Sequence, residues 1–255
     1  MRNAVKIAAG ACLLAATGCT VYAPMQPVMP LVRQRGQVEV GASAQLTGRV
    51  EATAAYSPVQ RVVVAGGLTA APRLSDQHFL VTRQYEVGAG LYQPLGRRWL
   101  LSGLGGGGQA YCHRGYVDLG IFGSGVYSEY EARYSKYFGQ LGVAHIQQKD
   151  TYSLNYRFTQ VNFDYLTDAE YGPLPLSAMT RHELALSVRS DIGKSRRWQL
   201  VTTLGLSVAS TSRQDDNQSP YNESARHYHA NRNLLPAFLM SFGVVYQPKQ
   251  SAALY

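Results

Sequence analysis

Residues 38–56 read VEVGASAQLTGRVEATAAY, and the fold turns on how this stretch is read. Val38, Val40, Ala42, Ala44 and Leu46 alternate with Glu39, Gly41, Ser43 and Gln45, a period of two. A helix has no use for that period, whereas a strand sends successive side chains to opposite faces. Gly48 turns the chain, and Val50, Ala52, Ala54 and Tyr56 repeat the alternation against Arg49, Glu51, Thr53 and Ala55. The product is a hairpin with one apolar face that has to be kept from water.

Working outward, the alternation recurs through Val62 to Leu68, Val81 to Leu91, Trp99 to Ala110, Tyr130 to Val143, Tyr152 to Phe163, Leu184 to Ile192, Trp198 to Val208 and Phe238 to Tyr246. That makes about ten strands, most of them near the 9–11 residues that cross a bilayer at the tilt of a barrel. No 3.6-residue stripe follows the opening segment, so no helix is predicted beyond it. Connections alternate in length. Ser57 to Gln60, Pro94 to Arg98, Gln147 to Asp150 and Gly193 to Arg196 are short. Ala71 to Phe79, Tyr111 to Gly125, Leu166 to Thr180 and Ser210 to Asn233 are longer and polar, with Thr47-Gly48 the one short member of that set. Short turns at one end and long loops at the other are the asymmetry of outer-membrane barrels, and an even strand count puts both ends of the sheet on the short, periplasmic side. The expected fold class is all-β, a closed antiparallel transmembrane β-barrel.

Composition agrees. There are 18 Tyr against 7 Phe, and only 16% of residues are charged, low for a surface wholly in water. Tyrosine suits a membrane–water boundary, ring inward and hydroxyl outward. The net charge of +8 permits nucleic acid or anionic lipid as a partner. No basic block or recognition motif accompanies it, and Arg97-Arg98 and Arg196-Arg197 sit at turns between apolar stretches, so lipid headgroups are expected and nucleic acid is not.

Arg2 and Lys6 precede an apolar run from Ile7 to Ala16, too short to span a bilayer, which ends in Ala16-Thr17-Gly18-Cys19. This resembles the lipobox of bacterial lipoproteins, with Ala16 where that family usually has leucine. The resemblance implies cleavage before Cys19 and acylation of its thiol; Thr20 in place of aspartate implies release toward the outer membrane. Cys12 leaves with the leader and Cys19 carries lipid, which leaves Cys112 alone and no internal disulfide. Val21 to Gly36, with Pro24, Pro27 and Pro30 and no apolar periodicity, suits an extended tether. The expected organisation is a leader over 1–18, a lipidated tether over 19–36 with its N-terminus on the periplasmic side, a barrel over 37–248 and a tail over 249–255.

The last strand, Leu234 to Gln247, presents Phe238, Met240, Phe242, Val244 and Tyr246 on one face. It resembles the closing strand of outer-membrane barrels in its Ser241, Gly243 and Tyr246 spacing, with Pro248 where they carry another aromatic. Nearly the whole chain after Cys19 is similar in pattern to the small outer-membrane β-barrel lipoproteins of Gram-negative bacteria, most closely over Tyr134 to Phe163. The similarity implies location and fold, not activity.

With the apolar faces on lipid, the opposite faces carry Glu39, Arg49, Glu51, Arg61, Glu86, Glu131, Arg133, Arg157, Glu183, Arg189 and Asp191. In a narrow lumen such charges must pair or pay several kcal/mol each in desolvation, so a packed polar plug is expected, with a narrow conducting pore as the alternative. Gly103, Gly105 and Gly108 match a GxGxxG spacing, but no helix follows and no nucleotide site is expected. His78, His113, His145, His182, His227 and His229 supply no catalytic set, and His227-x-His229 lacks a third metal ligand. The expected protein is non-enzymatic, without metal or cofactor, with a structural or surface-contact role through a long loop rich in charge and tyrosine. Three rivals stay open: a passive channel, a lipid-acting enzyme at the outer rim, and a water-soluble ligand-binding barrel.

Overall fold

The computed structural model describes residues 20–73, 75–76, 78–117, 127–193, 196–211 and 221–248. Its elements are β1 (Val38–Gln45), β2 (Val50–Tyr56), β3 (Val62–Ala71), β4 (Phe79–Leu95), β5 (Trp99–Val117), β6 (Tyr127–Ile146), β7 (Asp150–Asp168), β8 (Gly172–Pro173), β9 (Ala178–Ile192), β10 (Trp198–Ala209), α1 (Tyr221–Arg232) and β11 (Ala237–Tyr246). All pairings are antiparallel, and β1 joins β11 while β6 joins β7, so the ten long strands close into a barrel. The two-residue β8 only lengthens the tip of β7. Closure leaves no long strand with an unpaired edge.

Strand heights are unequal. β5, β6 and β7 run 19, 20 and 19 residues, whereas β1 and β2 run 8 and 7. The extra residues lie where the sequence predicts loop, and in them the alternation changes phase. Low on this wall Leu101, Leu141 and Leu154 point outward and are exposed, while Ser102, Gln140 and Asn155 point inward and are buried. Higher up, Cys112, Tyr130, Ala132, Tyr134 and Leu166 point inward and are buried, and Arg133 faces outward. On β6 the exchange falls between Tyr137 and Arg133. It coincides with a bulge opposite the register shift between Arg133 and Tyr134, where Asp164 is the extra residue. Each half of the strand keeps period two, but only the lower half has its apolar side out.

Two further expectations need correction. Residues 221–232 form a helix that the sequence reading missed, because its inward face is not a continuous apolar stripe: among its residues of described burial, 223–232, His229 and Ala230 are the buried ones, with Asn233 and Leu234 just beyond the last turn. Residues 20–33 are extended as expected of a tether, but they lie inside the barrel. Thr20, Val21, Tyr22, Met25, Met29, Leu31 and Val32 are all buried. Cys19 and the leader fall outside the described residues. No described helix is long and apolar enough to cross a membrane.

Candidate functional site in the barrel lumen

Residues 20–33 run the length of the lumen. At one end the Thr20 hydroxyl donates to the Asn233 carbonyl at 2.8 Å, Val21 N–H donates to the Asn233 side-chain oxygen at 3.0 Å, and Arg114 donates to the Thr20 carbonyl at 2.9 Å. Asn233 follows α1 and Arg114 is near the top of β5, so this is the long-loop end. At the other end Arg33 donates to the carbonyl of Arg97 at 3.2 Å, and Gly36 N–H to that of Ser57 at 2.7 Å, both in short turns. The chain therefore descends from the long-loop mouth, turns at 34–37 and rises again as β1. The expectation that the N-terminal end of this segment lies on the short-turn side is not met by Thr20.

Pro24, Pro27 and Pro30 recur every third residue, the repeat of a polyproline II helix, which makes no hydrogen bonds of its own. Its main chain has to be satisfied by the wall. Gln84 donates to the Ala23 carbonyl at 3.0 Å, Arg49 to that of Pro24, Gln140 to that of Val28 at 2.9 Å and Arg189 to that of Met29 at 2.6 Å. Glu51 accepts the N–H of Gln26 at 3.1 Å, and Glu39 that of Leu31 at 3.2 Å. The three prolines bring no N–H that needs an acceptor. The Gln26 side chain reaches three strands, donating to Thr203 and accepting from Ser43 and Ser241, each at 3.0 Å.

Three of the wall's carboxylates are paired with cations, while Glu183 accepts from Tyr22, and Arg181 donates to Ser207 and to the Leu235 carbonyl. Glu86 lies 2.6 Å from Lys136 Nζ and 2.9 Å from Arg157 Nη1; Arg189 lies 2.7 Å from Glu39; Arg49 lies 3.4 Å from Glu51. Apolar layers flank the Glu86 and Glu51 pairs above and below, with the Arg189–Glu39 pair level with the lower one. Below, Met29, Leu31 and Val32 pack with Val63, Tyr92, Leu100 and Ala144. Above, Val21 and Tyr22 pack with Tyr116, Tyr130, Tyr134 and Leu234. Tyr22 donates to Glu183 at 2.5 Å, and the Arg181 guanidinium sits 4.9 Å from the centre of its ring. One cavity of about 10 Å³, lined among others by Met25, Gln26, Phe138 and Arg157, has room for about one water.

Of the residues predicted to line the lumen, Glu39, Arg49, Glu51, Glu86, Arg157, Glu183 and Arg189 are there and buried. Asp191 shares the inward face of β9 but sits at the short-turn rim, bonded to Gln199 at 2.9 Å. Arg61 is exposed in a turn with φ of 68°. Glu131 and Arg133 face outward, because they lie above the change of phase, where the polar face is the outer one. The same change hid Lys136, which belongs to the opposite set of β6 positions and is buried. Arg181 was missed because β9 begins at Ala178 rather than Leu184, although it shares a face with Glu183 and Arg189.

The glycine motif lies in mid-strand on β5. Gly106 has a packing role there, since a Cβ on it would run into the Val87 carbonyl and meet the Phe138 ring at 2.7 Å. His229 Nδ1 lies 2.6 Å from the Tyr130 hydroxyl and 3.3 Å from Asp168, and its ring stacks on Tyr171. Burial lowers its pKa, with Asp168 pulling the other way. Among the described residues there is no group of three or more His, Cys, Asp or Glu that could hold a metal ion.

No family model matches the chain, and no curated protein matches it. Among solved structures it is similar to the translocator domain of the autotransporter NalP from Neisseria meningitidis, at 11% identity and TM-score 0.40 over 96% of each chain. It is similar to the NanC porin at 11% identity and TM-score 0.38, over 82% of this chain and 98% of that one. A third similarity is to CarO2 of Acinetobacter baumannii, at 9% identity and TM-score 0.28, over 84% of this chain and 99% of that one.

Proposed function

We propose that the protein is an integral outer-membrane barrel, lipid-anchored through Cys19, whose lumen is kept closed by its own residues 20–33 and which serves a non-enzymatic structural or surface-contact role. The change of phase along β5, β6 and β7 carries this reading. Apolar side chains turn away from water, so a strand with its apolar face out below and in above passes from hydrocarbon into an aqueous layer. The lower part spans about nine residues per strand; at about 3.3 Å each and a tilt of roughly 40° this is about 23 Å, close to the about 25 Å apolar band of such barrels. Trp99, Trp198, Tyr152 and Tyr56 are exposed around its short-turn edge, as interfacial aromatics are. A water-soluble barrel would leave Leu68, Val87, Leu91 and Leu141 at 63%, 61%, 63% and 67% exposure to water. The length asymmetry of the connections supports long loops outward.

The closed lumen rests on the segment's bonds to the wall and on the apolar layers at both ends. Membrane fractionation, gel mobility with and without boiling, and planar-bilayer recording test the reading together. The expected result is detergent-dependent extraction, a mobility change on boiling, and a silent bilayer. Solubility in plain buffer would remove the membrane, and steady single-channel steps from the intact protein would remove the plug.

A further inference from the structure

The direction in which the chain passes through the lumen has a topological consequence. Thr20 is bonded to Asn233 and Arg114 at the long-loop mouth, and Arg33 to Arg97 at the short-turn mouth. At about 3.1 Å per residue in an extended polyproline-like chain, residues 20–33 reach about 40 Å, more than the apolar belt is tall. The segment therefore crosses the whole membrane thickness, in the sense opposite to β1. The residue before Thr20 is one peptide away, about 3.8 Å between Cα atoms.

We infer that the protein threads its own N-terminal segment across the membrane, so that Thr20 opens onto the cell-surface side among the long loops and not onto the periplasm. This rests on the reading that the long loops face outward. Where Cys19 carries lipid, as its surroundings in the sequence imply, the acyl chains are delivered to the outer leaflet, and the protein holds the membrane at its surface side by an anchor passed through its own wall.

The contacts suit a threaded chain. Most of the wall's polar bonds to it end on main-chain atoms, so they grip an extended strand along its length, while Tyr22 and Gln26 fix its register through side chains. The prolines limit the freedom lost when it is confined. A narrow barrel closed by the pairing of its first and last strands, β1 with β11, offers no late side entrance.

The test uses the full-length protein in the outer membrane with a short epitope in one of three places: between Cys19 and Thr20, within residues 212–220 of the longest loop, or in the short turn at residues 147–149. Antibody binding is compared on intact and permeabilised cells. Equal signal in both states is expected for the first two epitopes, and a rise of tenfold or more on permeabilisation for the third. A loop epitope seen on intact cells together with a hidden N-terminal epitope overturns the threading and leaves the orientation standing. A hidden loop epitope overturns the orientation, and the inference with it. Should the N-terminal epitope disturb assembly, a single cysteine inserted after Cys19 in a Cys112→Ala chain, labelled by a membrane-impermeant maleimide, decides between the same outcomes.

Discussion

The hydroxyl of Tyr22 donates to the carboxylate of Glu183 at 2.5 Å, joining residues 161 positions apart and tying the threaded segment to the inner wall of β9. Among the described residues Glu183 Oε2 has no hydrogen-bond partner, so the carboxylate depends on Oε1, which Ser207 reaches only at 3.4 Å. Hydrogen bonds to charged groups contribute about 1.5–3 kcal/mol. Tyr22→Phe is expected to destabilise the folded barrel by about that amount, read as a lower urea midpoint with an unchanged slope. An unchanged midpoint would show that the segment is not held there.

Among the described residues Glu86 is the one carboxylate paired with both Lys136 and Arg157, and all three are buried. Glu86→Gln leaves two cations without their counter-charge, and breaking a buried pair in this way costs about 3–5 kcal/mol. The loss is expected to be smaller when Lys136→Met is added, because only one uncompensated charge then remains. A double-mutant cycle in urea measures the difference, and strict additivity would count against the cluster.

Gly142 marks a close approach of segment and wall. A Cβ built on it would lie 2.5 Å from Met29 Sδ, 2.6 Å from Asn155 Oδ1 and 2.9 Å from Ser102 Oγ. Gly142→Leu is expected to push the segment out of register and give single-channel steps in a planar bilayer where the unmodified protein gives none. Deletion of residues 20–33 should do the same more strongly. Silence from both variants, once each is shown to be folded by its gel mobility, would mean that the segment is not the plug.

The outer face responds in the opposite sense to ordinary surface rules. Leu186 is 57% exposed within the apolar belt. In water, Leu186→Arg would be nearly neutral, whereas on a lipid face arginine costs about 2–4 kcal/mol near the midplane. The expected outcome is a barrel that refolds poorly into lipid vesicles. Normal refolding yield and stability would favour a soluble barrel.

His229 makes the docking of α1 sensitive to pH. Its ring faces Tyr130 and Asp168 from the wall, Tyr171 from the loop after β7, and Arg232 from its own helix, with Glu170 also near. Burial sets its folded pKa below the usual histidine value, so the undocked state binds the proton more readily. Docking is therefore undiminished above the unfolded histidine pKa, about 6.5, and weakens as pH falls through that value toward the folded one, by at most tenfold per pH unit. Amide protection of residues 223–232, corrected for the intrinsic exchange rate at each pH, is expected to fall on going from pH 7.5 to 5.5 and to lose that dependence in His229→Gln.

The strand content was legible because each lower strand keeps one apolar and one polar face, and a period of two survives any detail of packing. The seven lumen residues recovered from sequence are those below the change of phase; Glu131 and Arg133 were misplaced because one rule was carried along strands that pass between two surroundings. The helix was hidden by its polar composition, and Lys136 by its place opposite the residues first noticed on β6.

By itself the sequence determined the strands, their order, and the asymmetry of their connections, since these follow from local alternation and turn chemistry. Tertiary structure alone decided where residues 20–33 run. Their prolines specify an extended chain with unsatisfied main-chain groups, but nothing local says what satisfies them. The partners, Gln84, Gln140, Glu39, Glu51 and Arg189, converge on the segment only once the strands have closed around it.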